Sequence, residues 1–205
     1  MTLVTADMMI SLDGYIAGPN DSLQNPGGDN AAILHEWIAQ LASWRERQGL
    51  EGGLQNVDSE IIGEWFESSG AVVMGRNMYD YGVEFWGDNP PFRAAAFVLT
   101  HRPQPKQIKQ GGTSFTFVSD GIVSALEQAK AVAGGKCVDI SGGANTIQQY
   151  ISAGLVDEMQ LHVVPVLFGG GVRLFDQIGP NQKKLEPIRV VAGSSATHLK
   201  YRFVR

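Results

Sequence analysis

The chain has 205 residues, a formal net charge of −5, 43% hydrophobic residues and one cysteine, Cys137. That length suits a single α/β domain spanning 1–205 rather than two domains. The acidic balance excludes a general attraction for nucleic acid or anionic membranes, and the lone cysteine excludes an intrachain disulfide or a cysteine-rich zinc site. No apolar run approaches the ~20 residues of a membrane span. The segment Met1-Thr2-Leu3-Val4-Thr5-Ala6-Asp7 reaches an acid too soon for a signal peptide, so a cytoplasmic protein is expected.

Leu3 to Ile10 reads as a strand ending at Ser11-Leu12-Asp13-Gly14, followed by a polar loop to Gly27-Gly28. From Ala31 to about Gln48, the residues Ile33, Trp37, Leu41 and Trp44 recur at helical spacing, with Leu34 and Ile38 widening the stripe. Gly49 to Val57 reads as a loop. Asp58 is placed to cap a second helix whose Ile61, Ile62, Trp65 and Phe66 face inward. The pattern then alternates. Ala71 to Met74 is a strand before a short helix, and Ala95 to Leu99 and Phe115 to Val118 are further strands. Asp120 opens a helix to Gly134-Gly135, Cys137 to Ile140 is a strand, and a helix runs from about Asn145 to Ala153. Met159 to Leu167 is a long strand ending at Gly169-Gly170-Gly171. In the tail, Thr197 to Arg205, the residues Leu199, Tyr201 and Phe203 alternate with His198, Lys200 and Arg202. Such alternation predicts an antiparallel strand with one solvated face, whereas strands alternating with helices predict βαβ crossovers and a mainly parallel sheet.

Several chemistries are absent. There is no G-x-G-x-x-G after the first strand and no P-loop. His35-Glu36-Trp37-Ile38-Ala39 has alanine where a zincin helix needs its second histidine, and one cysteine cannot complete a zinc-deaminase signature; no metal site is expected. Two glycine-marked turns stand out instead, Val73-Met74-Gly75-Arg76-Asn77-Met78 and Ser141-Gly142-Gly143-Ala144-Asn145-Thr146. Each follows an apolar strand and opens a helix, so backbone can approach a ligand while unpaired N–H groups face any anion held there. Such a turn can also be purely structural, but the pair suggests a ligand with several phosphates lying across the strand ends.

These turns belong to an ordered set: Ser11-Leu12-Asp13-Gly14-Tyr15-Ile16-Ala17-Gly18, Val73-Met74-Gly75-Arg76, Phe97-Val98-Leu99-Thr100-His101-Arg102, Ile140-Ser141-Gly142-Gly143-Ala144, and Leu161 to Gly171. In this order they resemble the dihydrofolate reductase superfamily, and within it the branch containing the reductase domain of riboflavin biosynthesis. The resemblance covers nearly the whole chain. It implies a three-layer α/β sandwich, with a mostly parallel central sheet and an antiparallel C-terminal edge strand. It also implies NADPH as cofactor and a homodimer. Gly75, Arg76 and Asn77 would hold one end of NADPH, and Gly142, Gly143, Ala144, Asn145 and Thr146 the pyrophosphate. Thr100, His101 and Arg102 would meet the 2′-phosphate, for which the arginine fork is suited. Many relatives carry threonine where this chain has Met78, which removes one hydroxyl contact.

The resemblance implies reduction of a small heterocyclic or carbonyl/imine substrate, by hydride transfer of the dihydrofolate reductase or 5-amino-6-(5-phosphoribosylamino)uracil reductase type. The loop from Asp13 to Gly18 would cover the nicotinamide, with Ile16 and Ala17 as backbone contacts. The candidate acids are Asp13, Asp29 and Glu36. Asp13 reads equally as a turn residue, and Glu36 as a solvated helix acid. From about Gln24 to Val57 the chain departs from dihydrofolate reductase in length and pattern, so folate is not implied. Trp37 and Trp44 fit either a core stripe or a stacking platform, and His162 reads as a packed, hydrogen-bonded strand residue. An NADP(H)-binding module without catalysis, acting as a sensor or partner protein, is the alternative function.

Overall fold

The computed structural model describes residues 2–204. Residues 1 and 205, and with them the last residue of the expected tail strand, lie outside the described residues. The first apolar run forms β1 (Val4–Ser11). Alternation gives it two different faces: Val4, Ala6 and Ile10 join one core cluster, and Met9 another. After a short β2 (Tyr15–Ala17), the expected helix from Ala31 to Gln48 is broken into α1 (Ala32–His35), a 3-10 turn (Ile38–Gln40) and α2 (Ala42–Arg47). The break is at Leu41, which is extended (ψ 142) and fully buried. It is enforced by the neighbouring loop: Leu54 N donates to the Gln40 carbonyl at 2.8 Å, and Ala42 N to the Leu54 carbonyl at 3.0 Å. A longer helix would forfeit this bridge.

The cap of α3 (Val57–Ser68) is Asn56, whose side chain accepts from Ser59 N, and not Asp58. Asp58 points into the core. Asp120 likewise gives way to Gly121 at the start of α5 (Ile122–Val132), which has no side-chain cap. Between them lie β3 (Ser69–Gly75), α4 (Arg76–Trp86), β4 (Ala95–Leu99), the edge strand β5 (Gln107–Ile108) and β6 (Ser114–Val118). Next come β7 (Cys137–Gly142), α6 (Ala144–Ser152) and β8 (Glu158–Val164). The expected strand to Leu167 ends three residues early, because Val166 N turns back to the Val164 carbonyl at 2.8 Å.

A short β9 (Val172–Arg173) pairs with β2. The chain ends in the antiparallel pair β10 (Leu185–Ala192) and β11 (Thr197–Phe203). The large sheet has the order β10-β11-β8-β1-β7-β3-β4-β6-β5. Its centre from β8 to β6 is parallel, and its margins are antiparallel. Strand β10 was not visible in the sequence: it carries Pro187 at a bulge and is mostly exposed, as an edge position allows. On one face of the sheet Leu126, Ile147 and Tyr150 of α5 and α6 pack on Val73, Val138 and Ile140. The opposite face is covered by α1 to α4, through Leu34, Trp37, Ile62 and Tyr79. Trp37 is thus a core residue. No described helix is long and apolar enough to cross a membrane.

Candidate functional site

Strand β3 lies between β7 and β4, with Met74 opposite Gly142 and Gly75 opposite Leu99. The two glycine turns are therefore neighbours on one sheet edge, and Thr100 follows beside them. Gly75 has no room for a side chain, since a Cβ would lie 2.5 Å from Thr146 Oγ1. Thr146, one of the residues expected at the pyrophosphate, is buried, and its hydroxyl oxygen lies against Gly75, joining the two turns. Gly142 sits at φ +118, and a Cβ there would touch the sulfurs of Met8 and Met78 at 3.6 and 3.7 Å. The Gly142–Gly143 peptide is cis. A Cβ on Gly143 would meet nothing within 4 Å, so this turn faces open space. The first amides of α4 and α6 have no acceptor within their helices. Asn77 and Asn145 are exposed at those helix starts, although Asn145 Oδ1 accepts from Gln149 Nε2 at 2.7 Å.

Arg76, Thr100 and Arg102 come together as expected from their places on the edge. Arg76 NH1 donates to the Arg102 carbonyl at 3.2 Å, and Arg102 N to Thr100 Oγ1 at 3.0 Å. His101 is exposed beside them. A residue the sequence reading missed, Asp80, accepts from both arginines, from Arg76 Nε at 2.6 Å and from Arg102 NH2 at 3.3 Å. Its signal was available: an acid four residues after an arginine on a helix is a pairing distance.

The three candidate acids are not gathered into one group. Asp13 accepts from Ser11 Oγ (2.6 Å), Phe168 N (3.1 Å) and Gly169 N (2.7 Å), stapling the turn after β1 to the loop after β8. The Ser11 hydroxyl leads these bonds in holding its carboxyl down at about 2, so Asp13 is an ionised staple at neutral pH and is corrected as a proton donor. Asp29 spends its carboxylate on Asn20 Nδ2 (2.7 Å) and Asn25 Nδ2 (2.8 Å). Glu36 is exposed at the end of α1. Ile16 is half-buried, and Ala17 is buried where its carbonyl abuts Gly171: a Cβ there would lie 2.1 Å from the Ala17 oxygen.

Below this edge, on the α1-to-α3 side of the sheet, runs a buried polar chain. Asp58 Oδ1 faces His198 Nε2 at 2.8 Å, the two imidazoles meet Nδ1 to Nδ1 at 2.6 Å, and His162 Nε2 faces Asp7 Oδ1 at 2.7 Å. Each imidazole thus has both ring nitrogens within hydrogen-bonding distance of a partner. The sequence reading of His162 as packed and hydrogen-bonded agrees. His198, expected on a solvated face, is 1% exposed, because Asp58 arrives from α3 to receive it.

Asp139 lies near this chain and bonds to the Ser141 hydroxyl beside the glycine turn. Burial, reinforced by the charge of Asp7, pushes the Asp139 carboxyl up to about 8 despite the Ser141 bond. The folded state then holds that proton more tightly than the unfolded one, so its contribution to stability is lost as the pH rises toward 8. Asp139→Asn, which cannot ionise, should raise the thermal midpoint at pH 8.5 relative to wild type and change it little at pH 5, as scanning calorimetry will measure. An acid inside the apolar run Cys137 to Ile140 was the available signal.

A family model described as the RibD C-terminal domain matches residues 2–199. Two Bacillus subtilis (strain 168) proteins named as uncharacterized, YwjB and YyaP, are 24% and 25% identical over 179 and 173 residues. The alignments span 86% and 84% of this chain and 83% and 79% of theirs. Among solved structures, a putative riboflavin biosynthesis protein from Shewanella sp. PV-4 is 25% identical, with a TM-score of 0.70 and 100% of both chains covered. RibD of Acinetobacter baumannii is 15% identical with a TM-score of 0.63, covering all of this chain and 59% of that one. A Thermotoga maritima diaminohydroxyphosphoribosylaminopyrimidine deaminase/5-amino-6-(5-phosphoribosylamino)uracil reductase is 14% identical with a TM-score of 0.58, covering 99% and 57%. These last two likenesses concern the fold.

Proposed function

Because this chain belongs to the RibD C-terminal domain family, we propose that it is an NADPH-dependent reductase of a small heterocyclic or carbonyl/imine substrate, of the riboflavin-pathway type. The observation that carries this reading is the adjacency of the two glycine turns on β7 and β3, with Thr100 and Arg102 next along the same edge. The donor set fits a phosphorylated nucleotide. Gly143 opens onto space, the first amides of two neighbouring helices have no acceptor within those helices, and the Arg102 side chain is 69% exposed. When bound, NADPH would supply the hydride from its nicotinamide.

The residues of this chain supply the positioning. Amides of Gly143 to Asn145 and of Arg76 to Asn77 would hold the phosphates, and Arg102 would turn its fork to the 2′-phosphate. Ile16 and Ala17, fixed by the Asp13 staple and by Gly171, would close over the reacting ring and exclude water. Burial holds Asp139 protonated, and the Ser141 hydroxyl beside the turn donates to it.

The test is a titration with NADPH and NADH in parallel, followed by quenching of tryptophan fluorescence. Arg102→Ala should weaken NADPH by about tenfold, about 1.4 kcal/mol, and leave NADH unchanged. Failure to bind either nucleotide overturns the reading. A non-catalytic NADP(H)-binding module is favoured by one observation: the carboxylates of Asp13 and Asp29 are already spent on local bonds. That reading predicts tight binding with no hydride transfer to dihydropterins or ribosylated aminopyrimidines.

A further inference from the structure

Arg76 and Arg102 reach the same carboxylate with unequal commitment. Arg76 is held on two sides, with Nε on Asp80 Oδ1 at 2.6 Å and NH1 on the Arg102 carbonyl at 3.2 Å, and its side chain is 16% exposed. Arg102 makes one longer contact, NH2 to Asp80 Oδ2 at 3.3 Å, from a side chain 69% exposed. Its backbone is pinned separately, since Arg102 N donates to the Thr100 hydroxyl at 3.0 Å. The Arg102 guanidinium can therefore swing without disturbing the strand end, whereas Arg76 and Asp80 stay together as an (i, i+4) pair.

We infer that Asp80 is a specificity-determining residue of the proposed nucleotide site: a built-in carboxylate that competes with the ligand's 2′-phosphate for Arg102 and keeps the preference for NADPH over NADH small. The inference rests on the nucleotide reading of this edge and adds to it a residue that opposes binding. Two arginines alone would offer two positive charges to a 2′-phosphate. Asp80 cancels one of them, and the arriving phosphate carries nearly two negative charges. Each phosphate that takes Arg102 also leaves Asp80 Oδ2 without that partner, close to the new dianion. A nucleotide with a free 2′-hydroxyl leaves the Arg102–Asp80 pair intact and meets no such cost. Exposed ion pairs of this kind are weak, so the competition narrows the gap between the two nucleotides without blocking the phosphate.

The probes are 2′,5′-ADP and 5′-AMP, which differ only in the 2′-phosphate, titrated calorimetrically into wild type, Asp80→Asn, Arg102→Ala and the double variant. Asparagine keeps an oxygen for Arg76 Nε while removing the charge, and thermal melts will check folding of each variant. Asp80→Asn should tighten 2′,5′-ADP about three- to fivefold and leave 5′-AMP unchanged. The gain should vanish in the Arg102→Ala background, an outcome a merely structural role would not produce. Weaker 2′,5′-ADP binding in Asp80→Asn, equal shifts for both probes, or a gain that survives loss of Arg102 would each overturn the role of Asp80 while the nucleotide site stands. Absence of binding of either probe or of NADPH to wild type would overturn the site, and this inference with it.

Discussion

Replacing Asp58 with alanine lowers the free energy of unfolding by about 3–5 kcal/mol, the cost of stripping a buried carboxylate from its three hydrogen bonds. The expectation follows from what Asp58 holds. Its carboxylate is fully buried and accepts from His198 Nε2, Ser194 Oγ at 2.7 Å and Ser195 N at 3.1 Å. Burial alone raises the Asp58 carboxyl, but these bonds, led by His198, outweigh it and hold it below its ordinary value. Without it, the β10–β11 turn loses its anchor on α3, and His198 loses the acceptor for Nε2. Urea unfolding curves will read the loss, with the exposed Glu60→Ala on the same helix, expected within about 0.5 kcal/mol of wild type, as the control.

The same chain sets a pH dependence. Burial holds His198 below its ordinary 6.5, and the neighbouring His162 adds to this against the pull of Asp58. Below about 6.5 the unfolded chain therefore binds more protons than the folded one, so stability falls as the pH falls through that range. The geometry agrees, because with both rings protonated N–H would face N–H across the 2.6 Å gap between them. Wild type should lose thermal midpoint between pH 7.5 and 5.5, and His198→Ala, already destabilised, should show a flatter profile.

Gly75→Ala is the second large effect, and it acts on the site. The added methyl would stand 2.5 Å from Thr146 Oγ1, and Thr146 is buried, so turning its side chain aside must displace packed neighbours. Overpacking of this kind costs about 1–3 kcal/mol. Here it drives apart the starts of α4 and α6, and NADPH affinity should fall about tenfold or more. Removing the obstacle should restore the fit: Gly75→Ala/Thr146→Ala should recover most of the affinity lost by the single variant. Stability measurements and fluorescence titrations on wild type and the two variants decide it. No recovery would place the effect outside the Gly75–Thr146 contact.

The parallel strands and the two glycine turns were legible because each is announced locally. Apolar runs such as Ala71 to Met74 are bounded by turn residues, and a glycine follows where the chain must bend into a helix. Strand β10 was not legible, because an exposed edge needs no apolar alternation and tolerates Pro187. The break at Leu41 was hidden for a different reason: its cause, the bridge to Leu54, lies in another segment. At the candidate site, the meeting of Arg76, Thr100 and Arg102 was legible from their strand ends. Asp80 was passed over because its significance appears only when Arg102 arrives from β4.

The sequence by itself determined the alternation of strands and helices, the two glycine turns and the family to which they belong. Each of these is written in short runs of neighbouring residues, where backbone propensity and periodicity act. The tertiary structure alone decided how the polar groups are paired. It turned Asp58 from a helix cap into the partner of His198, made Asp13 an ionised staple, left Asp139 protonated beside Asp7, and turned the Thr146 hydroxyl onto Gly75. The physical reason is that burial and charge depend on what the fold brings within a few ångströms. Asp58 and His198 stand 140 residues apart in sequence, and no local pattern records their meeting.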